Sequence, residues 1–193
     1  MINVHRIISS TKAEGPGIRT CIYLQGCSHH CDGCFAMDTW SFENKNLMSV
    51  EEIVQIVLKD VTAEGVTFLG GEPLDQFVEV LELCKRIRAA GKTIILFTGY
   101  TLNEITNKKR FGDILEYVDV LVDGPYIKEQ RDFSRPMVGS KNQKFVFLTD
   151  KYSIDDFGKN KIEIRINSYG MITINGQGNT KLLKNTKEIM QDV

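Results

Sequence analysis

Apolar and polar positions along this chain of 193 residues switch repeatedly between a strand rhythm and a helix rhythm. Asn3 to Ile8 and Thr20 to Leu24 are rich in β-branched and aromatic residues and predict two strands, with Gly15-Pro16-Gly17 as the turn between them. Ser49 is a good helix N-cap with Glu52 three residues on, and Ile53, Ile56 and Val57 repeat at helical spacing, so a helix is predicted to about Asp60. Val66 to Leu69 is a short apolar run entering Gly70-Gly71-Glu72-Pro73, a strand followed by a tight turn. The next helix starts at Asp75, gathers Phe77, Val80, Leu81, Cys84 and Ile87 on one face, and stops at Gly91. Thr93 to Phe97 predicts a buried strand, Leu102 to Tyr117 a helix broken near Phe111-Gly112, and Val118 to Val122 a strand running into Asp123-Gly124-Pro125-Tyr126. Crossovers of this length allow parallel pairing, the pattern of an α/β sheet or barrel.

The rhythm is lost between Ile127 and Gln143, where Lys128, Arg131, Arg135, Lys141, Asn142 and Gln143 mark a candidate functional loop; a solvated loop is the plain alternative. It returns with a strand at Lys144 to Leu148, then a hairpin of Ile162 to Ile166 and Met171 to Ile174 turned at Ser168-Tyr169-Gly170. From Gly176 the chain is polar, and its last residues are compatible with a short helix. No shift in composition divides the chain, so residues 1–193 read as one domain, with 149–193 as a C-terminal hairpin and tail.

With 42% hydrophobic and 25% charged residues, the composition is that of a globular protein. A net charge of -1 gives no bulk attraction for nucleic acid or an anionic membrane. The start lacks the apolar core of a signal peptide, and no apolar run approaches the roughly 18–20 residues of a membrane span. A cytoplasmic protein with no nucleic-acid and no membrane partner is expected. Its five cysteines, an odd number with three crowded together, fit a metal site in a reducing compartment better than a disulfide framework. Cys21 and Cys84, in a predicted strand and helix, read as core thiols.

The crowded cysteines, Cys27, Cys31 and Cys34, form a C-x3-C-x2-C loop that begins at Gln25-Gly26, where the second strand ends. In barrels and open α/β sheets, chemistry sits beyond the carboxyl ends of strands. Three thiolates can hold three corners of a four-iron four-sulfur cluster, which normally takes four cysteines. One iron is then left open, as in reactive rather than closed metal sites. Zinc, with His29 or His30 as fourth ligand, is the competing chemistry, although the chain offers neither a second C-x2-C nor a His pair at zinc-finger spacing. The second signal is Gly70-Gly71-Glu72-Pro73: two glycines let backbone approach a ligand closely, and Glu72 can accept a hydrogen bond from an ammonium group. An ordinary turn is the bland reading of the same four residues.

The cysteine loop together with the downstream GGEP resembles the radical S-adenosylmethionine superfamily. Within it, Gly26 to Trp40 in the form GC-x-H-x-C-x-GC-x4-TW, FTGY at Phe97 to Tyr100, VDGPY at Val122 to Tyr126 and GS-x-NQ at Gly139 to Gln143 are similar to the activating proteins of anaerobic ribonucleotide reductases, over about Asn3 to Leu148. The resemblance implies an α/β fold, an incomplete parallel (βα) barrel with a lateral opening. It implies a four-iron four-sulfur cluster on Cys27, Cys31 and Cys34, and S-adenosylmethionine chelating the open iron through its amino and carboxylate groups. A flavodoxin-like or ferredoxin-like donor would supply an electron, and a 5'-deoxyadenosyl radical would take hydrogen from a backbone glycine near the end of a large glycyl-radical reductase subunit. By motif position, Gly70, Gly71 and Glu72 would hold the methionyl amino end, Pro73 would shape the turn, and Phe35 would lie against the adenine. Thr98 and Asp123 are candidates for methionyl or ribose contacts, with helix caps or turn residues as the alternative. Two positions depart from the family pattern: Ala36 stands where asparagine is usual, and Val138 where arginine usually precedes GS-x-NQ. A radical enzyme acting on another peptide or small molecule, and a non-catalytic zinc-binding interaction module, are the alternatives.

Overall fold

A computed structural model describes residues 1–108 and 111–177. The strands are β1 (Ile2–Thr11), β2 (Arg19–Leu24), β3 (Leu47–Met48), β4 (Gly65–Gly70), β5 (Thr93–Phe97), β6 (Val120–Asp123), β7 (Lys144–Phe147), β8 (Ile162–Ile166) and β9 (Ile172–Gly176). The first seven form one sheet in the order β3-β1-β2-β4-β5-β6-β7, and β8 and β9 form a separate hairpin. Neighbours β2, β4, β5 and β6 pair parallel, whereas β1, β3 and β7 pair antiparallel. The architecture is therefore an open α/β sheet, an incomplete barrel whose centre is parallel and whose edges are not. Connection length explains the pairing of β1 with β2. The Gly15 to Gly17 turn is too short for a crossover, so β1 returns antiparallel to β2; the segment between β6 and β7 is long enough for one but forms no crossover helix, and β7 pairs antiparallel.

Helices α1 (Val50–Lys59), α2 (Phe77–Ala89) and α3 (Leu102–Asn107) accompany the parallel strands. Ser49 and Glu52 form the expected capping box, which satisfies two backbone donors that the first turn leaves open. The helix expected from Asp75 begins instead at Phe77, because Pro73–Gln76 forms a tight 3-10 turn whose Leu74 N–H is taken by Glu72. The expected break after α3 is present, with a second 3-10 turn over Gly112–Glu116. Two short elements had no sequence signal: the two-residue β3, and α4 (Ile154–Phe157). The short helix expected of the last residues lies outside the described ones.

Alternation along the strands sends side chains to two faces. Ile22, Leu24, Phe68, Leu96 and Leu121 point to the helices and bury against Ile53, Val57, Val80, Leu83 and Ile87, each apolar side chain stabilising by roughly 1.5–3 kcal/mol. Cys84 belongs to this core and Cys21 lies buried on the opposite face, as expected of both. That opposite face carries Tyr23, Leu69, Ile95, Phe97 and Val122, and Val138 and Phe157 cover part of it. Among the described residues no helix is long and apolar enough to cross a membrane.

Candidate functional site

The open face of the sheet holds a cavity of about 480 Å³, lined by the loops that leave the carboxyl ends of β2, β4, β5 and β6. The loop after β2 is closed on itself: Gly26 N donates to Thr39 O at 2.7 Å, and Cys27 N to Trp40 O at 3.2 Å. The Thr39 hydroxyl donates to Ala36 O at 2.6 Å, His30 stacks on Trp40 with ring centroids 5.0 Å apart, and Gln25 Nε2 reaches Ser41 O at 2.7 Å. The threonine and tryptophan at the end of the motif thus return the chain to where the loop began. Gly33 turns with φ of +71°, a conformation that favours glycine.

Cys27, Cys31 and Cys34 are unpaired, half-buried, and all line this one cavity. Burial pushes the Cys27 and Cys31 thiols up, so metal binding must displace protons there. Among the described residues, no three His, Cys, Asp or Glu side chains converge closely enough to hold a single metal ion. A four-iron cluster takes each thiolate on a different iron, and three thiols facing one cavity suit that donor set. The backbone N–H of Ala36 lies 3.4 Å from Cys34 Sγ, a contact that does not depend on the side chain at position 36.

The Gly70 to Pro73 turn fastens the cysteine loop. Gly71 N donates to Leu24 O and Glu72 N to Gly26 O, both at 2.8 Å. A Cβ on Gly71 would fall 2.1 Å from Gly26 O, and Gly70 has φ of +98°. Close packing of two loops accounts for both glycines. Glu72 is 1% exposed. Its carboxylate accepts from Leu74 N at 2.9 Å, Thr98 Oγ1 at 2.8 Å and Gly99 N at 2.7 Å, joining the loops after β4 and β5. His29 Nε2 lies 3.4 Å from Glu72 Oε2, within ion-pair reach but without hydrogen-bond geometry. The Glu72 contact raises the His29 pKa despite burial.

Gly70, Gly71, Glu72, Thr98 and Phe35 reach the cavity, whereas Pro73 is buried and does not line it. Asp123 is buried too, and its carboxylate accepts from Leu102 N at 2.7 Å at the start of α3. Phe35 is 62% exposed and meets Phe133 and Tyr126 edge-on, with centroids 5.4 and 6.0 Å away. In the 127–143 segment, Gln143 Oε1 accepts from Gly139 N at 2.8 Å, its Nε2 donates to Gly124 O at 3.2 Å, and Asn142 Nδ2 donates to Pro125 O at 2.7 Å. The GS-x-NQ motif is a clasp that holds the loop after β6 against the cavity.

Sequence reasoning missed the opposite wall. Glu14, beside the Gly15 to Gly17 turn, accepts from Tyr23 Oη at 2.5 Å and from Gly176 N at 2.7 Å. Burial raises its pKa against those hydrogen bonds and the nearby Arg6 charge. The Arg6 guanidinium lies 4.2 Å over the Tyr23 ring. An acid next to a Gly-Pro-Gly turn was a visible signal; its link to Gly176, across most of the chain, was not.

Residues 13–146 match a family model described as a 4Fe-4S single cluster domain. The anaerobic ribonucleoside-triphosphate reductase-activating protein of Vibrio cholerae is 35% identical over 150 residues, which cover 74% of this chain and 96% of that one. The protein of the same name from Escherichia coli K12 is 32% identical with the same coverage, and that from phage T4 is 32% identical over 77% of this chain and 96% of its own. Among solved structures, QueE from Escherichia coli gives a TM-score of 0.45 at 21% identity, covering 52% of this chain and 53% of that one. With the cysteine loop, its fastening turn and these relatives together, the chain belongs to the family of anaerobic ribonucleoside-triphosphate reductase-activating proteins.

Proposed function

We propose that this protein is a radical S-adenosylmethionine activating enzyme that installs a glycyl radical on the large subunit of an anaerobic ribonucleoside-triphosphate reductase. The observation that carries the reading is the opening of Cys27, Cys31 and Cys34 onto one cavity beyond the parallel strands. When bound there, the cluster and S-adenosylmethionine supply one-electron cleavage of a sulfonium bond and abstraction of a hydrogen atom from glycine. The protein's part is to bind, orient and shield. The Gly26–Thr39 and Gly71–Leu24 bonds fix the loop that bears the thiols, and Glu72 fixes the neighbouring loops through Thr98 and Gly99. Its three protein donors let Glu72 preorganise the backbone around the methionyl end, and its carboxylate, which lines the cavity, keeps acceptor capacity for an ammonium group. Phe35, exposed at the rim beside Tyr126 and Phe133, offers an aromatic surface for a purine.

Such chemistry needs a low-potential electron donor of flavodoxin or ferredoxin type and the reducing interior of a cell. The test is anaerobic reconstitution with iron, sulfide and dithionite. The expected result is 5'-deoxyadenosine from S-adenosylmethionine, and a glycyl radical signal in electron spin resonance once the large subunit is added. Cleavage without a signal on the large subunit would assign the chemistry to another substrate.

A further inference from the structure

The hairpin of β8 and β9 lies beyond residue 146, where the family match ends. Its two faces are reversed from the usual arrangement. The polar face is turned inward and bonded to the end of β1: Arg165 donates to Ser9 O at 2.7 Å and Ser10 O at 2.9 Å, and Glu163 accepts from Thr11 Oγ1 at 3.0 Å and Lys12 N at 3.1 Å. Asn175 Nδ2 donates to Thr11 Oγ1 at 2.9 Å. The other face is a block of isoleucines, with Ile164 opposite Ile174 and Ile166 opposite Ile172. Ile164, Ile166 and Ile172 are 46%, 68% and 39% exposed.

An exposed apolar face anchored through hydrogen bonds on its polar side marks an interaction surface. Its position identifies the occupant. Ile174, at the inner end of the isoleucine block, lines the same cavity as the three cysteines, together with Asn175, Gly176 and Gln177. Gln177 Nε2 donates to Val138 O at 2.7 Å, which ties this wall to the loop carrying the GS-x-NQ clasp. An apolar surface continuous with the cavity wall meets whatever macromolecule presents a residue to that cavity.

We propose that the isoleucine face of the β8–β9 hairpin docks an apolar segment of the substrate polypeptide, flanking the glycine it presents to the cavity. The proposal rests on the activation reading above, and adds a recognition element outside the part shared with the family model. It differs from self-association, in which the same face would meet a second copy.

The test replaces two exposed side chains whose loss leaves the polar anchors intact, in Ile166→Ser/Ile172→Ser, with Ile166→Val/Ile172→Val as the conservative control. The probe is the large reductase subunit. For the serine variant, the KM for that subunit should rise about tenfold with kcat held within about twofold, while the valine variant stays near wild type. Cleavage of S-adenosylmethionine without the subunit and the thermal midpoint should stay unchanged. An unchanged KM overturns the proposal, as does a variant whose only effect in sedimentation is to dissolve a dimer. Direct binding of the large subunit to reconstituted protein, measured without reductant, separates this from the activation reading. Binding lost in the serine variant supports docking even where no radical forms, and no binding by the wild-type protein overturns it.

Discussion

The two ends of the parallel strands use polar residues in opposite ways. At the amino ends, three charged side chains are sealed in and fully bonded. Arg19, 0% exposed, donates through every guanidinium nitrogen: to Thr67 Oγ1 at 2.7 Å, to Val66 O at 2.7 Å, and to Thr93 Oγ1 and Tyr152 Oη at 3.2 and 3.1 Å. Burial pulls its pKa down, and none of these partners is a carboxylate. Asp60 accepts from Ser10, Thr20 and Thr62, and Asp119 from Arg88, Thr149 and Ile94 N. At the carboxyl ends, three thiols face a cavity, and the buried Trp40 Nε1 and His29 Nε2 make no hydrogen bond. A group that is fully bonded serves the fold, whereas reactive groups left open are available to a ligand. Glu72 joins the two uses: it lies at the open end, yet it is buried and its carboxylate accepts three protein donors.

The largest effect expected is at the open end. Changing any one of Cys27, Cys31 or Cys34 to alanine should take deoxyadenosine formation to background, on the order of a thousandfold or more, because the bound group carries the chemistry. The thermal midpoint of the unloaded protein should barely move, and a calorimetric scan checks that half. Asp119→Ala should do the reverse. It leaves Arg88, the buried Ile94 N–H and the half-buried Thr149 hydroxyl without their carboxylate partner, and should cost about 3–5 kcal/mol in denaturant unfolding. Cluster absorbance in whatever fraction stays folded should be normal. If Asp119→Ala left stability intact but lost the cluster, the division between the ends would fail.

The strands and helices were legible because their signals are local: apolar runs for β4, β5 and β6, and a capping box at Ser49 with apolar residues at helical spacing for α1. The cysteine loop was legible for the same reason, and Gly26 to Trp40 lies within fifteen consecutive positions. What stayed hidden depends on partners far along the chain. Gly70 and Gly71 read as ligand-facing, and only the approach of Gly26 O and Leu24 shows that loop packing demands them. Glu72 read as an acceptor for an ammonium group, and nothing in the sequence says that Thr98 and Gly99 also reach it. Val138 read only as a departure from a motif, and is buried with Ile95, Val120 and Phe157, a contact that needs the chain after β7.

Acid titration tests the closed end on a smaller scale. Burial pushes the Asp60 carboxyl up, but hydrogen bonds from Ser10, Thr62 and Thr20 outweigh it and hold the pKa at about 2, against an ordinary 3.8. A lowered folded-state pKa means that the stabilisation is fully present above the unfolded value and is lost as pH falls from about 4 towards 2. Asp60→Asn should therefore lower stability at pH 7 by about 1–2 kcal/mol and flatten the unfolding curve between pH 4 and 2. A wild-type acid limb in that variant would mean that other carboxylates govern the closed end.

The smallest effect bears on how residues beyond the family match are attached. Tyr152 lies past residue 146, and its hydroxyl meets Arg19 Nη1 at 3.1 Å and Thr93 Oγ1 at 2.7 Å. Its neighbour in the fold, Phe157, packs with Phe145 at 4.8 Å between ring centroids. One end of this added segment thus seals the amino ends of the strands, while Asn175 to Gln177 line the cavity at the carboxyl ends. Tyr152→Phe keeps the ring and removes only the hydroxyl, so it should cost about 1 kcal/mol. Arg19 keeps its bonds to Thr67, Val66 and Thr93, which limits the loss. Deoxyadenosine formation and the KM for the large subunit should match wild type. A rise in that KM would show that the seal at the closed end also sets the position of the cavity wall, and that the two ends are coupled through the added segment.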